Sequence, residues 1–193
     1  MNRNMEKKTE YRRILPHLNY ENSMFFITYR IAGSLPKHIL KEYIYEKKNN
    51  QIPPKLFEKY EDYLDTKDGE LSRTDIAKVV DESLWHYHKK HFNLLAFCIM
   101  PNHVHFLINT NGYPYRNLYS LMKSIKGVSA NKINKILGKS GQFWHHESYD
   151  RMVRDINELS NTIEYILNPV KAKLVNNWRN WEYTYVNERY LNE

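Results

Sequence analysis

FNLLAFCIMPNHVHFLI, Phe92 to Ile108, consists of two short apolar runs joined by Pro101 and Asn102. Each run is too short for an ordinary helix, is rich in strand-forming residues, and is bounded by turn formers. The pattern predicts a β-hairpin with strands at Phe92–Met100 and His103–Ile108, ended by the turn residues Asn109 to Gly112. Side chains alternate along a strand, so His103, His105 and Leu107 share one face and Val104, Phe106 and Ile108 the other. The second set is expected to face helices. Two imidazoles are then left two residues apart on the opposite, open face.

Neutral imidazoles so placed can hold one divalent ion such as Mn²⁺ or Zn²⁺. The spacing by itself is weak, because nine histidines in 193 residues give about 0.4 His-x-His pairs by chance. The setting adds weight, since polar residues on a central strand with a strongly apolar reverse face need a purpose.

Upstream, SMFFITYRIA (Ser23 to Ala32) reads as a strand ending at Gly33. The charged, Tyr- and Lys-rich segment after Pro36 predicts two short helices around Pro53 and Pro54. Thr74 caps a helix with Ile76, Val79, Val80, Leu84 and Tyr87 at helical spacing. Downstream, Leu118 to Leu137 traces an amphipathic helix, with a bend placed at Gly127 and a stop at Gly138; Gln142 to His146 reads as a short strand. Ile156, Leu159, Ile163, Ile166 and Leu167 mark a last helix, which must stop near Asn168 because Pro169 disfavours helical geometry before it. The resulting order, β-α-β-β-α-β-α, predicts an α+β fold: a ferredoxin-like βαββαβ sandwich with a four-stranded antiparallel sheet, helices on one side, the other side open, and a C-terminal helix. One domain over residues 23–193 is expected, after a basic N-terminal extension at 1–22 and with a variable charged insert at 36–70.

The composition, 41% hydrophobic and 26% charged, is that of a globular chain. A single cysteine, Cys98, excludes an internal disulfide and a cysteine-rich zinc site, and favours the reducing cytoplasm. No apolar run approaches bilayer length and MNRNMEKKTEYRR lacks the apolar core of a secretory signal, so no membrane role is expected. The formal charge of +7 suits a polyanionic partner. From Gly112 to Tyr149 six basic residues (Arg116, Lys123, Lys126, Lys132, Lys135, Lys139) face one acid, Glu147. Such an imbalance fits phosphate contact, and Tyr115, Tyr119, Phe143 and Trp144 are interleaved to stack on unpaired bases or to pack in the core. His145 and His146 are discounted as a metal pair, because neighbours on a strand face opposite ways.

AFCIMPNHVHFLI resembles the histidine-hydrophobic-histidine signature of single-tyrosine DNA transposases, and FWHHESYDRMVRD, ELSNTIEYILNPVKAKLV and W..W.YT resemble the C-terminal half of the REP-associated tyrosine transposases. The resemblance runs from about Met24 to Thr184. It implies a metal-dependent single-stranded DNA endonuclease and transposase in which a helix-borne tyrosine attacks a phosphodiester, forms a 5′-phosphotyrosine and frees a 3′-OH. The matching residue is Tyr165. It also implies a Mg²⁺ or Mn²⁺ ion on His103 and His105, no nucleotide cofactor, single-stranded DNA with hairpin or repeat structure as partner, and a monomer or homodimer. Arg151 and Arg154, in the matching SYDRMVRD segment, join Arg116, Lys123, Lys126, Lys132 and Trp144 as the expected DNA-binding residues.

Helical geometry agrees with an exposed role for the tyrosine. With Ile156 at 0°, Ile163 and Leu167 fall at roughly 340° and 20° and Tyr165 at about 180°, beside Glu158, Asn161 and Asn168. A phenol is mostly neutral at pH 7, and a divalent ion on the scissile phosphate offsets its weak nucleophilicity. One departure stands out: the family's ligating amide lies four residues after the tyrosine, where this chain has Pro169. Asn168, three residues on, is the expected ligand, with Asn161 or Glu158 as substitutes. Two other readings compete. A sheet-based nucleic-acid reader would display stacking aromatics in place of the histidines. A rolling-circle initiator or relaxase would share the histidine pair and the tyrosine chemistry.

Overall fold

The computed structural model describes residues 9–12, 16–19, 22–39, 41, 45, 63–65, 68–114, 117–167 and 169–191. In chain order the strands are β1 (Thr9–Arg12), β2 (Pro16–Asn19), β3 (Met24–Arg30), β4 (Asn93–Ile99), β5 (His103–Asn109), β6 (Tyr149–Val153) and β7 (Thr184–Val186). The helices are α1 (Thr74–Tyr87), α2 (Leu118–Leu137) and α3 (Ile156–Ile166). In the charged insert, residues 37–39, 41, 45, 63 and 64 are helical; Pro53 and Pro54 lie outside the described residues.

β4 and β5 form the expected hairpin, closed where the Met100 amide donates to the His103 carbonyl at 2.9 Å. The sheet is antiparallel throughout, in the order β6-β3-β5-β4-β7. It has five strands rather than four, because β7 continues the sheet beyond β4. β1 and β2 pair with each other in a separate two-stranded sheet. No described helix is long and apolar enough to cross a membrane.

On one face Phe25, Ile27 and Tyr29 of β3, Phe97 and Ile99 of β4, and Val104, Phe106 and Ile108 of β5 pack against α1 and α2. α1 buries Ile76, Val79, Val80 and Leu84, as its spacing predicts, although its N-cap is Arg73 rather than Thr74. α2 ends where Gly138 turns left-handed with φ 61°, a conformation that glycine adopts without a Cβ penalty.

The other face is not open. Phe26, Leu95, Cys98 and Leu107 are buried there beneath Leu159, Ile163 and Ile166 of α3, with Trp178 and Trp181 packed alongside. The reason is legible in β3 and β4, whose apolar runs lack polar alternation, as strands buried on both faces do. A bulge in β4 contributes: Leu94 opposes Ile108 while Ala96 opposes Leu107, so Leu95 and Ala96 both join the second face.

The strand expected at Gln142–His146 is also displaced. Only Trp144 makes a bridge, to Ile31 just past the end of β3; the chain then loops out and re-enters the sheet as β6. The loop is held by Lys126, whose ammonium donates to the carbonyls of His145 (2.6 Å) and His146 (3.0 Å).

Candidate active site

Sheet register sets Tyr149, Thr28, His105, Cys98 and Thr184 abreast, a polar row crossing the face that α3 covers. His103 stands on the same face, opposite Arg30. The two imidazoles meet with His103 Nε2 and His105 Nε2 2.9 Å apart. Their outer nitrogens are anchored: His103 Nδ1 to Asn102 Oδ1 and His105 Nδ1 to Thr28 Oγ1, each at 2.8 Å. Asn102 is oriented in turn by its amide nitrogen, 3.5 Å from the Asp68 carbonyl. An amide oxygen only accepts, so His103 Nδ1 carries a proton and His103 Nε2 offers its lone pair inward. The Thr28 hydroxyl both donates and accepts, so it supports either tautomer of His105.

Both histidines are wholly buried. Burial pushes the His103 pKa down to about 3 and that of His105 well below the ordinary imidazole value. The pair is therefore neutral, the form that ligates metals. Two atoms bound to one ion at about 2.1 Å in cis positions lie about 3.0 Å apart, and the observed 2.9 Å separation matches. The donor set thus fits a divalent ion with two ligands supplied. Among the described residues no group of three or more His, Cys, Asp or Glu side chains is placed to hold a metal ion.

Tyr165 is half-buried beside this pair. Its ring centroid lies 5.3 Å from that of His105 and 5.6 Å from that of Phe26, whose ring also stacks on His105 at 5.7 Å. It reaches the pair from the flank of α3 rather than from the side opposite its core stripe. Ile156, the zero of the expected stripe, is 67% exposed, and the buried stripe is Leu159, Thr162, Ile163 and Ile166. Measured from the centre of that stripe, Tyr165 is rotated by about 110°, a position that lets it touch the sheet.

The remaining expected site residues fall in several places. Asn168 and Arg116 lie outside the described residues. Glu158 is committed elsewhere: its carboxylate accepts from Arg151 Nη1 at 2.6 Å and from the Arg154 amide at 2.9 Å, and Asn161 is exposed. Lys123 and Lys132 are exposed, with Lys132 3.9 Å from Glu82. Arg151 and Arg154 are exposed beside α3. Trp144 is a core residue instead of a base-stacking one: it is 4% exposed, its indole N–H donates to Ser129 Oγ at 3.0 Å, and it packs on Tyr29. Its burial leaves no ring face to stack on a base. Tyr119, Lys123 and Lys126 line a groove of about 420 Å³ between α2 and residues 141–150. His145 and His146 do come together, with centroids 4.5 Å apart, because their segment is a loop. The positive charges of Arg30 and Lys126 lower the His145 pKa further, after burial, to about 4, surroundings that repel a cation.

Thr28, Asn102, Phe26 and Asp65 complete the site without having been singled out in the sequence. Thr28 carried one signal, a polar residue at an alternate position in an apolar strand. Asn102 read only as a turn residue. Asp65 Oδ1, 3.9 Å from His103 Nε2, comes from the charged insert, where no pattern marks it.

A model of the family described as "Transposase IS200 like" matches residues 69–169, more than half of the chain. A putative REP-associated tyrosine transposase of Haemophilus influenzae is 29% identical over 103 residues, which cover 48% of this chain and 58% of that protein. The chain thus spans somewhat over half the length of this curated relative. A solved structure of a REP-associated tyrosine transposase bound to a REP hairpin superposes with a TM-score of 0.53 at 15% identity, over 91% of this chain and 81% of that one. That likeness is one of fold. The match from Gly69 through Pro169 takes in α1, the histidine hairpin, α2 and the tyrosine helix, and the chain belongs to the IS200-like transposase family.

Proposed function

We propose that the chain cuts and rejoins single-stranded DNA by tyrosine nucleophilic attack, with Tyr165 as nucleophile and a Mg²⁺ or Mn²⁺ ion on His103 and His105. The observation that carries this reading is the approach of Tyr165 to His105, 5.3 Å between centroids, within one chain. In the reaction the Tyr165 phenolic oxygen bonds to phosphorus, the bond from phosphorus to the 3′ oxygen breaks, and a 5′-phosphotyrosine and a 3′-OH result. The phenol gives up its proton and the 3′ oxygen takes one. The ion would polarise the phosphate and stabilise the leaving oxygen. Asn102 holds the His103 Nε2 lone pair inward, Thr28 anchors the His105 ring through Nδ1, and Phe26 supports the His105 and Tyr165 rings. Asn168 is the proposed amide ligand. Because the phosphotyrosine conserves bond energy, rejoining needs no nucleotide cofactor.

The proposed partner is single-stranded DNA with hairpin structure, as in the solved relative's complex with a REP hairpin. Exposed Lys123, Lys132, Arg151 and Arg154 suit its phosphates. The sheet-reader alternative is disfavoured, since it requires an accessible sheet face, whereas Phe26, Leu107 and both histidines are buried. The test incubates the protein with Mn²⁺ and single-stranded hairpin oligonucleotides. A covalent adduct should form with the wild type, and Tyr165→Phe should bind the same DNA and form none. An undiminished adduct with Tyr165→Phe would remove Tyr165 as nucleophile.

A further inference from the structure

We propose that the groove between α2 and residues 141–150 holds one unpaired nucleotide of the bound DNA strand, its base one that carries an exocyclic amino group; this rests on the DNA reading above. The groove measures about 420 Å³, within the range of about 300–1,000 Å³ typical of small-ligand sites. Apolar Leu118, Met122 and Phe143 line it together with charged residues of both signs.

Gly127 opens the space. It lies inside α2, where glycine is less favourable than alanine, and a Cβ there would meet no atom within 4 Å. No protein neighbour requires so small a residue, and the room it leaves belongs to the groove it lines. Charge then sets the orientation of an occupant. Lys126 is turned to the carbonyls of His145 and His146, which leaves exposed Lys123 as the phosphate contact. Glu147 and Asp150 also line the groove, with His146 Nε2 3.7 Å from Glu147 Oε1. Carboxylates repel a phosphate but accept hydrogen bonds from a base amino group, such as cytosine N4. Each offers about four acceptor positions, so these residues can receive a base while keeping their other contacts. Uracil or thymine presents O4, a second acceptor, at the same place and is disfavoured. Asp150 follows Tyr149 on the edge strand β6, and Tyr149 belongs to the polar row of His105. Neighbours on a strand face opposite ways. The nucleotide held in the groove therefore flanks the scissile phosphate and does not itself react.

Fluorescence anisotropy tests this with one labelled hairpin oligonucleotide carrying a single-stranded tail of either deoxycytidine or deoxyuridine, in EDTA so that no cleavage intervenes. The wild type should bind the cytosine-tailed DNA about fivefold or more tightly than the uracil-tailed DNA. Gly127→Leu, which fills the groove, should bind both as weakly as the wild type binds the uracil tail, and Lys123→Ala should weaken both alike. Equal binding of the two tails by the wild type, or a cytosine preference that survives Gly127→Leu, overturns the groove site and leaves the DNA reading standing. If the wild type binds neither DNA, the DNA reading fails and this inference with it. Thermal melts should show Gly127→Leu as stable as the wild type. If it melts early, the wild type decides by NMR: the cytosine-tailed DNA should shift the Gly127 and Gly141 amide resonances, and unshifted resonances there overturn the site.

Discussion

The Thr28 hydroxyl is the smallest feature on which the site depends. It holds His105 Nδ1 at 2.8 Å on a strand whose other side chains, up to the terminal Arg30, are apolar or aromatic. Groups that orient a metal-bound imidazole fix its tautomer and ring plane, and their loss typically costs about 10–100-fold in metal affinity. Thr28→Val keeps the shape and removes the hydrogen bond, so its Mn²⁺ Kd should rise by about that factor while the protein stays folded. Calorimetry checks it, and an unchanged Kd would mean that packing against Phe26 alone orients His105. At this scale the sequence was informative where period-2 alternation applies. His103 and His105 fall on one face, as the strand pattern requires, and the Thr28 hydroxyl interrupts the apolar run of MFFITYR ahead of the terminal Arg30. Asp65 and Asn102 were not legible, because their positions depend on a contact between segments more than thirty residues apart, which no local period encodes.

That contact belongs to the elements, and Gly69 is where it is tightest. A Cβ at residue 69 would lie 2.0 Å from the Pro101 carbonyl oxygen and 2.8 Å from Asn102 Cβ. The Leu71 amide also donates to the Pro101 carbonyl at 3.0 Å, so the entry to α1 is bound to the turn of the histidine hairpin. Gly69→Ala must push this turn away; overpacking of this kind costs about 1–3 kcal/mol. A lowered urea midpoint together with weakened Mn²⁺ binding is expected, because Asn102 orients His103. A second tie is Lys126, whose ammonium is drawn under the 145–148 loop and whose pKa burial pushes down to about 8 from 10.5. Between those values the unfolded chain binds more protons than the folded one, so stability from this group rises with pH. The wild type should therefore gain in urea midpoint relative to Lys126→Met between pH 7.5 and pH 9.5. A gap that stays constant or narrows would show the ammonium to be solvated. α1, α2 and the hairpin were legible from apolar spacing and turn residues. β6 was misplaced because the Lys126 tie, a tertiary interaction, loops out the segment that local composition marks as strand.

At the scale of the whole molecule the decisive feature is that both faces of the sheet are covered. The expected architecture left one face open and brought a tyrosine to it on a helix exposed on that side. In the structure α3 packs its Leu159, Ile163 and Ile166 stripe directly on that face, and this packing carries Tyr165 to within 5.3 Å of His105, ring to ring, in the same chain. The connection from β6 to α3 is only Arg154 and Asp155, and the helix is capped at once by the Asp155 carboxylate accepting from the Glu158 amide at 2.8 Å. A two-residue connection leaves little chain with which to deliver the helix to a neighbouring copy. The nucleophile and the histidine pair should therefore act in cis. Mixing Tyr165→Phe with His105→Ala protein tests this directly, since each supplies what the other lacks only if helices are shared between copies. With cis assembly the mixture should yield no more covalent DNA adduct than the two variants separately, and wild-type adduct formation per protein should not change on dilution. Recovery of adduct in the mixture would mean that α3 leaves its own sheet and completes the site of a partner.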